Sequence, residues 1–339
     1  MSPKRKATLT DIARESGTSI ATVSRAMSQP GLVQPDTLER VRQVAVRLGY
    51  VPNRRARALV SGRSNTIGVV VPTLNSPIFS AALQEMQKAF SSNGYQLLIA
   101  SHEYDTAAEA AALSQLISHG VDGLVVVGAA RPQSTWAMIN TAEIPLVQLW
   151  EGREGYDRVL VDSFEAGVLV ARHLLDLGHK KLGVICGKLQ NNDRQTARVN
   201  GIRSALAERG LHLPNSQVSE QPLTISAGRS GCMTLLELVP RPTAIIGTVD
   251  MLAIGAMIEA QGRGIPVPEM ISFAGIDNVD VTAHLSPSLT TVDMPAASIG
   301  SEAAALMLSR LDGIKEGTDQ AVQLPISLVV RHSSTRSPL

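Results

Sequence analysis

The stretch Asn191-Asn-Asp-Arg-Gln-Thr-Ala-Arg-Val-Asn-Gly-Ile202 carries two guanidinium groups, on Arg194 and Arg198, in a short polar run. It follows an apolar run ending at Cys186 and opens a helix expected over Val199 to Arg209. A guanidinium there can aim a planar fork of donors at sugar hydroxyls or, with better geometry, at a carboxylate or phosphate. A solvated helix start accounts for Arg194 equally well. Asp277 follows a second apolar run, Ile271 to Ile276, and sets an acceptor at another strand end. Trp150 ends the run Pro145 to Leu149, where an indole could stack on a sugar face or pack as a lid. Phe79 and Phe164 are similar candidates, with core packing the simpler account of each. Asp250 reads first as a helix cap and second as a ligand neighbour.

These residues bind rather than react. The chain has no GxGxxG, no phosphate-cradling loop, no Ser-His-Asp constellation and no metal-ligand spacing, so neither an enzyme nor a cofactor is expected. His102, His119, His173 and His179 are dispersed, and His179 reads as a turn support. Cys186 and Cys232 provide no disulfide framework and read as buried thiols.

The elements that must position these side chains alternate between strand and helix. Strands are expected at Ile67 to Pro72, Gln96 to Ala100, Gly123 to Val127 and Pro145 to Leu149, with helices between them. A second set runs through Lys181 to Cys186, Ala244 to Thr248 and Ile271 to Ile276. The short remainder, Thr290 to Val292, a helix over 296–311 and a strand Leu324 to Val330, is too small for a third unit and should complete the other two. Continuous apolar strands are of the kind buried on both faces of a parallel sheet. Two doubly wound lobes would enclose a cleft at the carboxyl ends of their strands, where small ligands bind in such sheets.

Ahead of this body lies a different pattern. Thr10 can cap a first helix with Ile12, Ala13 and Ser16 inward, and Gly17 suits the left-handed turn that ends it. Ser19 is placed to cap a second helix, Ile20 to Met27, with Val23, Ala26 and Met27 as its buried stripe. Its other face carries Ile20, Ala21, Thr22, Ser24 and Arg25, side chains of the kind a recognition helix presents to a DNA groove. Pro35 opens a third helix through Leu38, Val41, Val44, Ala45 and Leu48. This is a helix-turn-helix.

Charge divides the chain in the same place. Residues 1–63 hold 12 Lys and Arg against 4 Asp and Glu, a net of +8. The rest holds 19 against 26, a net of −7, so the overall +1 conceals a basic head on an acidic body. Concentrated positive charge is what phosphate contact requires. Aromatic residues are only 3%, so the cores should be aliphatic. The N-terminus has no apolar h-region and no run reaches membrane-spanning length, so a cytoplasmic protein is expected.

Residues 8–28, together with Tyr50-Val-Pro-Asn53 and Leu59, resemble the DNA-binding head and hinge of the lactose-repressor (LacI/GalR) family of bacterial transcription regulators, and the resemblance continues through the body. The body pattern is also similar to periplasmic sugar-binding proteins. The resemblance implies a helix-turn-helix head over 1–52 and a hinge helix and linker over 53–63. It implies an effector-binding and dimerisation region over 64–339, with an N-lobe of about 64–160 and 293–323 and a C-lobe of about 161–292 and 324–339. Ile20, Ala21 and Arg25 match the family's base-reading positions. Thr8, Ser19, Thr22, Ser24 and Ser28 would hold phosphates. Asn53 and Ala56 would lie on paired hinge helices, from which Leu59 would wedge into the minor groove.

In the body, Arg198-x-x-Gly201 is similar to the family's effector-binding arginine motif, and Asp277 to its ligand-contacting aspartate. Gly275-Ile-Asp-Asn278 departs from the family pattern by having an amide where a second acid is usual. Ile225 and Ala296 stand where the family often sets aromatics over the ligand. Pro145-Leu-Val-Gln-Leu-Trp-Glu151 with Asn192-Asp-Arg-Gln-Thr-Ala-Arg198 is similar to the gluconate-repressor branch. The expectation is a homodimeric repressor of pseudo-palindromic operator DNA, controlled by a sugar or sugar acid. A solute receptor is the alternative, disfavoured by the basic head.

Overall fold

The computed structural model describes residues 7–28, 30–51, 62–313 and 319–338. The chain forms two compact units, Met1–Ser64 and Asn65–Leu339. The hinge positions Asn53, Ala56 and Leu59 lie outside the described residues, as does the Ser28 side chain.

The head consists of α1 (Leu9–Ser16), α2 (Ile20–Ser28), a 3₁₀ turn and α3 (Pro35–Arg47). Thr8, not Thr10, caps α1. It forms a capping box in which the Asp11 carboxylate accepts from the Thr8 N–H at 3.0 Å and Thr8 Oγ1 accepts from the Asp11 N–H at 3.3 Å. Two helix-end donors are thereby satisfied reciprocally. Gly17 ends α1 at φ 66°, the left-handed turn expected of it. Ile12, Ala13, Val23, Ala26, Val41, Val44 and Ala45 make the core of this unit.

The body contains two six-stranded sheets. The first is built from β1 (Thr66–Val71), β2 (Gln96–Ser101), β3 (Gly123–Val127), β4 (Leu146–Trp150), β5 (Asp157–Leu160) and β11 (Ala321–Gln323). Its order is β11-β5-β4-β3-β1-β2, every pair parallel. The second takes β6 (Leu182–Cys186), β7 (Val218–Glu220), β8 (Ala244–Gly247), β9 (Ser272–Asp277), β10 (Thr290–Asp293) and β12 (Ser327–Val329). Its order is β12-β10-β9-β8-β6-β7, parallel except for the β10–β12 pair.

The chain changes sheet three times. It leaves the first sheet after β5 and enters α7 (Ser163–Asp176), which packs on the second. It returns after β10 through α11 (Ala296–Leu311), which packs on α4 (Pro77–Ser92) and on β4 and β5. It crosses finally at residues 324–326 between β11 and β12. The single strand expected over Leu324 to Val330 is therefore two short strands in different sheets. Neither has the apolar run by which a buried strand is recognised.

The other helices are α5 (Thr106–Ser118), α6 (Gln133–Thr141), α8 (Asp193–Glu208), α9 (Ile225–Leu236) and α10 (Asp250–Gly262). Helix α8 begins six residues before the expected Val199, because Asn192 caps it by accepting from the Gln195 N–H. The shift places Arg194 and Arg198 one turn apart on a single helix. α7 and α8 pack backbone to backbone: a Cβ on Gly201 would lie 2.0 Å from the Phe164 carbonyl oxygen, and one on Gly167 would lie 2.0 Å from that of Arg198. The glycine of Arg198-x-x-Gly201 thus sets how deeply the helix bearing the arginine sits.

Candidate effector cleft and DNA-reading face

The carboxyl ends of the strands bring the chemistry together, as open α/β sheets do. Trp150 ends β4 and Asp277 ends β9, both in left-handed backbone, at φ 65° and 133°. Phe79, Trp150, Arg194, Arg198 and Asp277 all line one small cavity of about 30 Å³. It shares Tyr104, Asn192 and Leu223 with a larger cleft of about 470 Å³, whose walls include Asn75, Glu103, Lys188, Glu220 and Gln221. That volume lies within the range that takes small organic ligands.

Arg198 is the centre of the inner cavity. Its Nη2 lies 3.2 Å from Asp277 Oδ1, with each side chain 4% exposed. Its Nη1 donates to the Thr248 carbonyl at 2.6 Å, while Nε is buried with no hydrogen-bond partner. Gln195, one turn earlier on α8, accepts from the Gly187 N–H at 2.9 Å and from the Thr248 hydroxyl. The ends of β6 and β8 therefore hold the turn of α8 that carries the arginine. A buried donor without a partner is costly unless a ligand meets it.

Burial pushes the Asp277 carboxyl up to about 7, with Arg198 opposing the rise and the neighbouring Asp250 adding to it. Trp150 and Phe79 meet edge to face, ring centres 5.1 Å apart and planes at 87°. Both are buried, so they serve as core and cavity wall at once.

Two expected effector residues are not brought to this cavity. Asp250 is fully buried and does not cap α10; its carboxylate accepts from the Val279 N–H at 2.9 Å and from Thr291 Oγ1 at 2.6 Å. It organises the turn after β9. A Cβ on Gly275 would lie 2.2 Å from its Oδ1, so that glycine makes its room. Burial raises Asp250 to about 6. Phe164 sits in the first turn of α7, 42% exposed, where its carbonyl meets Gly201. Ile225 and Ala296 open α9 and α11 and do not line the cavity either.

The residues missed from sequence are Tyr104, Asn192 and Gln195. Tyr104 lies in left-handed backbone after β2 and lines both parts of the cleft, and burial raises its phenol to about 12. Its position after a strand end was the available signal. Asn278, the amide in the variant motif, donates from Nδ2 to Asp293 Oδ1 at 2.8 Å and accepts at Oδ1 from Arg331 Nη2 at 2.8 Å. A carboxylate could not make the first bond. His179 does support a turn: its ring bonds Thr243 Oγ1 and the Thr335 carbonyl, each at 2.9 Å.

On the head, α2 leaves Ile20 48% exposed, with Ala21, Ser24 and Arg25 also exposed. Ser19 Oγ accepts from the Thr22 N–H at 3.1 Å and bonds the Thr22 hydroxyl at 2.8 Å, and the Thr8 hydroxyl donates to Asp11 at 2.7 Å. The Thr8, Ser19 and Thr22 hydroxyls are thus engaged at helix starts.

A two-lobed α/β body with a polar cleft at its strand ends, joined to a helix-turn-helix head, defines a ligand-responsive DNA-binding regulator. Residues 8–53 match the bacterial regulatory proteins of the lacI family, and residues 171–334 match a periplasmic binding protein-like domain. The HTH-type transcriptional regulator DegA of Bacillus subtilis is 32% identical over 98% of this chain and 99% of its own. The chain belongs to the LacI family, whose members are transcription regulators and not enzymes.

Among solved structures, a LacI-family regulator from Silicibacter pomeroyi has a TM-score of 0.87 at 27% identity, covering 97% of this chain and 100% of that one. The regulator CelR in complex with cellobiose scores 0.72 at 26% identity, over 97% and 100%. The lac repressor dimer bound to operator and an anti-inducer scores 0.85 over 98% and 100%, and at 24% identity it shares the fold. Among the described residues, no helix is long and apolar enough to cross a membrane.

Proposed function

We propose that this regulator represses transcription as a homodimer on pseudo-palindromic operator DNA and is controlled by a sugar acid of the gluconate type. The observation that carries the effector class is the placement on one cavity of two guanidinium groups, Arg194, which Asp193 holds from outside it, and Arg198, which faces Asp277 and keeps a buried Nε without a partner. A carboxylate satisfies the guanidinium groups and polyol hydroxyls satisfy Asp277, while Trp150 and Phe79 give the carbon chain an apolar wall. The complex of CelR with cellobiose, a regulator of similar fold, supports a carbohydrate ligand.

Ile20 and Ala21 read thymine methyls and groove shape, and Arg25 is the main hydrogen-bonding reader. Ser24 and Ser28, with the helix starts at Thr8 and Ser19, hold phosphates. Asn53 and Ala56 contact the operator from the hinge, and Leu59 wedges into the minor groove. The protein works in the cytoplasm, where the DNA is. Effector changes operator affinity through its unequal affinity for two arrangements of the lobes.

The test is a thermal-shift and operator mobility-shift panel of gluconate, related sugar acids, neutral hexoses and phosphosugars. A specific ligand stabilises the fold by mass action. Gluconate or a close relative is expected to raise the melting temperature and alter the operator complex. A neutral hexose that acts while every sugar acid is silent would overturn the effector class.

A further inference from the structure

Asp193, beside the cleft arginines, does not face the effector cavity. It opens α8 in the second lobe, yet its Oδ2 accepts from the Ala129 N–H at 2.6 Å and the Ala130 N–H at 3.1 Å, both on the loop after β3 in the first lobe. Its Oδ1 accepts from Arg194 Nη1 at 3.0 Å and from the Arg194 N–H at 2.9 Å. One carboxylate thus joins the two lobes and holds a cleft arginine. Burial opposes its charge, but Arg194 and the three backbone donors outweigh that and keep it below the ordinary carboxylate range.

The receiving loop is built for this contact. Gly128 stands at φ 76°, and a Cβ there would lie 2.3 Å from Arg194 Nη1. Successive N–H groups around such a turn form a concave anion seat. The loop is anchored from behind by Arg131, which donates to the Val127 carbonyl at 3.3 Å and to Glu109 at 2.9 and 3.2 Å. That ion pair is buried, with side chains 1% and 5% exposed, and the Arg131 guanidinium lies 4.7 Å from the centre of the Trp136 ring. The first-lobe half of the contact is therefore rigid.

We propose that Asp193 is an interlobe latch and a positioning residue for Arg194: it holds the cleft closed in the absence of effector and sets the arginine at the cavity wall. Its effect on ligand binding rests on the effector reading above; its effect on the lobes does not. Losing the latch opens the effector-free body and makes effector binding bear the cost of closure, because a ligand binds more weakly when its competent state is less populated.

The test uses the full chain with Asp193→Ala, Asp193→Asn and Gly128→Ala. Without ligand, hydrogen exchange at Ala129 and Ala130 should rise about tenfold or more in Asp193→Ala, and small-angle scattering should show a more extended body. Asp193→Asn, which keeps a neutral acceptor, should fall between. With gluconate as probe, affinity should drop at least about fivefold, in the range of ordinary coupling effects. The Gly128→Ala, Asp193→Ala double variant should be no worse than the poorer single variant, since both act on one contact. Unchanged scattering and exchange in a folded Asp193→Ala or Asp193→Asn protein overturns the latch. If gluconate fails to bind the unaltered chain, the effector reading falls, and the ligand-free measurements still decide the latch.

Discussion

Arg198 and Asp277 approach from different elements, the first from α8 and the second from the end of β9, and their charged atoms meet at 3.2 Å out of contact with bulk water. Their attraction offsets much of what it costs to bury either one, and neither is free to leave. Arg198 retains a buried, unpartnered Nε. The pair is thus both a structural tie and the polar floor of the cleft.

Arg198→Ala should abolish the effector response while leaving effector-free operator binding largely intact. Removing one member of a buried pair costs about 3–5 kcal/mol, so the body should also melt earlier. Arg198→Lys should keep part of the stability and little of the response, because an ammonium lacks the planar fork. Titration calorimetry and a mobility shift check both points; an undiminished response in Arg198→Ala would remove it from the site.

The raised Asp277 predicts a pH dependence. Its carboxyl stands at about 7 in the folded chain, against about 3.9 when unfolded. Between those values the folded state binds the extra proton, so the stability it contributes is fully present below about 4 and is lost as pH rises through 7. Burial lowers His102, His173 and His179, which act in the opposite sense, and raises Asp250, which acts in the same sense and interacts with Asp277. The quantity to read is therefore the stability of the native chain minus that of Asp277→Asn, by calorimetry from pH 5 to 8. It should decline as pH rises; a flat or rising difference contradicts the assignment.

Gly201→Ala and Gly167→Ala each put a methyl 2.0 Å from a carbonyl oxygen across the α7–α8 contact. Overpacking of this kind costs about 1–3 kcal/mol. Gly167→Ala should additionally weaken effector binding, because the displaced carbonyl belongs to Arg198. Denaturant melts and calorimetry test the two effects separately.

Asn278→Asp should destabilise the body by about 1–3 kcal/mol near neutral pH, since it removes the donor to Asp293 and sets two carboxylates face to face. Lowering the pH should recover part of the loss by protonating one of them. Equal stability at pH 7 would show that the amide is not needed there.

Leu59→Ala should weaken operator binding far more than binding to random DNA, as expected of a side chain that wedges a specific step. Mobility shifts on both DNAs at one salt concentration give the ratio; equal losses refute the wedge.

Much of this was legible from residue order, for local reasons. Strand β3, Gly123–Val127, and helix α11, Ala296–Leu311, lie where the apolar runs and periodicity put them. The left-handed turn at Gly17 follows from a residue without a Cβ. Arg198 and Asp277 could be picked because each follows an apolar run, and parallel sheets place such ends on one edge. The start of α8 was less legible, because Asn192 as a cap competes with a polar stretch that reads equally well as loop.

Sequence by itself determined the head, its charge, the alternation of strands and helices and the types of side chain at the strand ends, because these depend on neighbours a few residues apart. Tertiary structure alone decided the partners. It turned Asp250 inward to Val279 and Thr291, exposed Phe164, brought Tyr104 to both parts of the cleft and set Asp193 against amides some sixty residues away. A side chain's type says what it can bond, but which group lies within 3 Å of it is settled by how the sheets cross and how closely two helices pack.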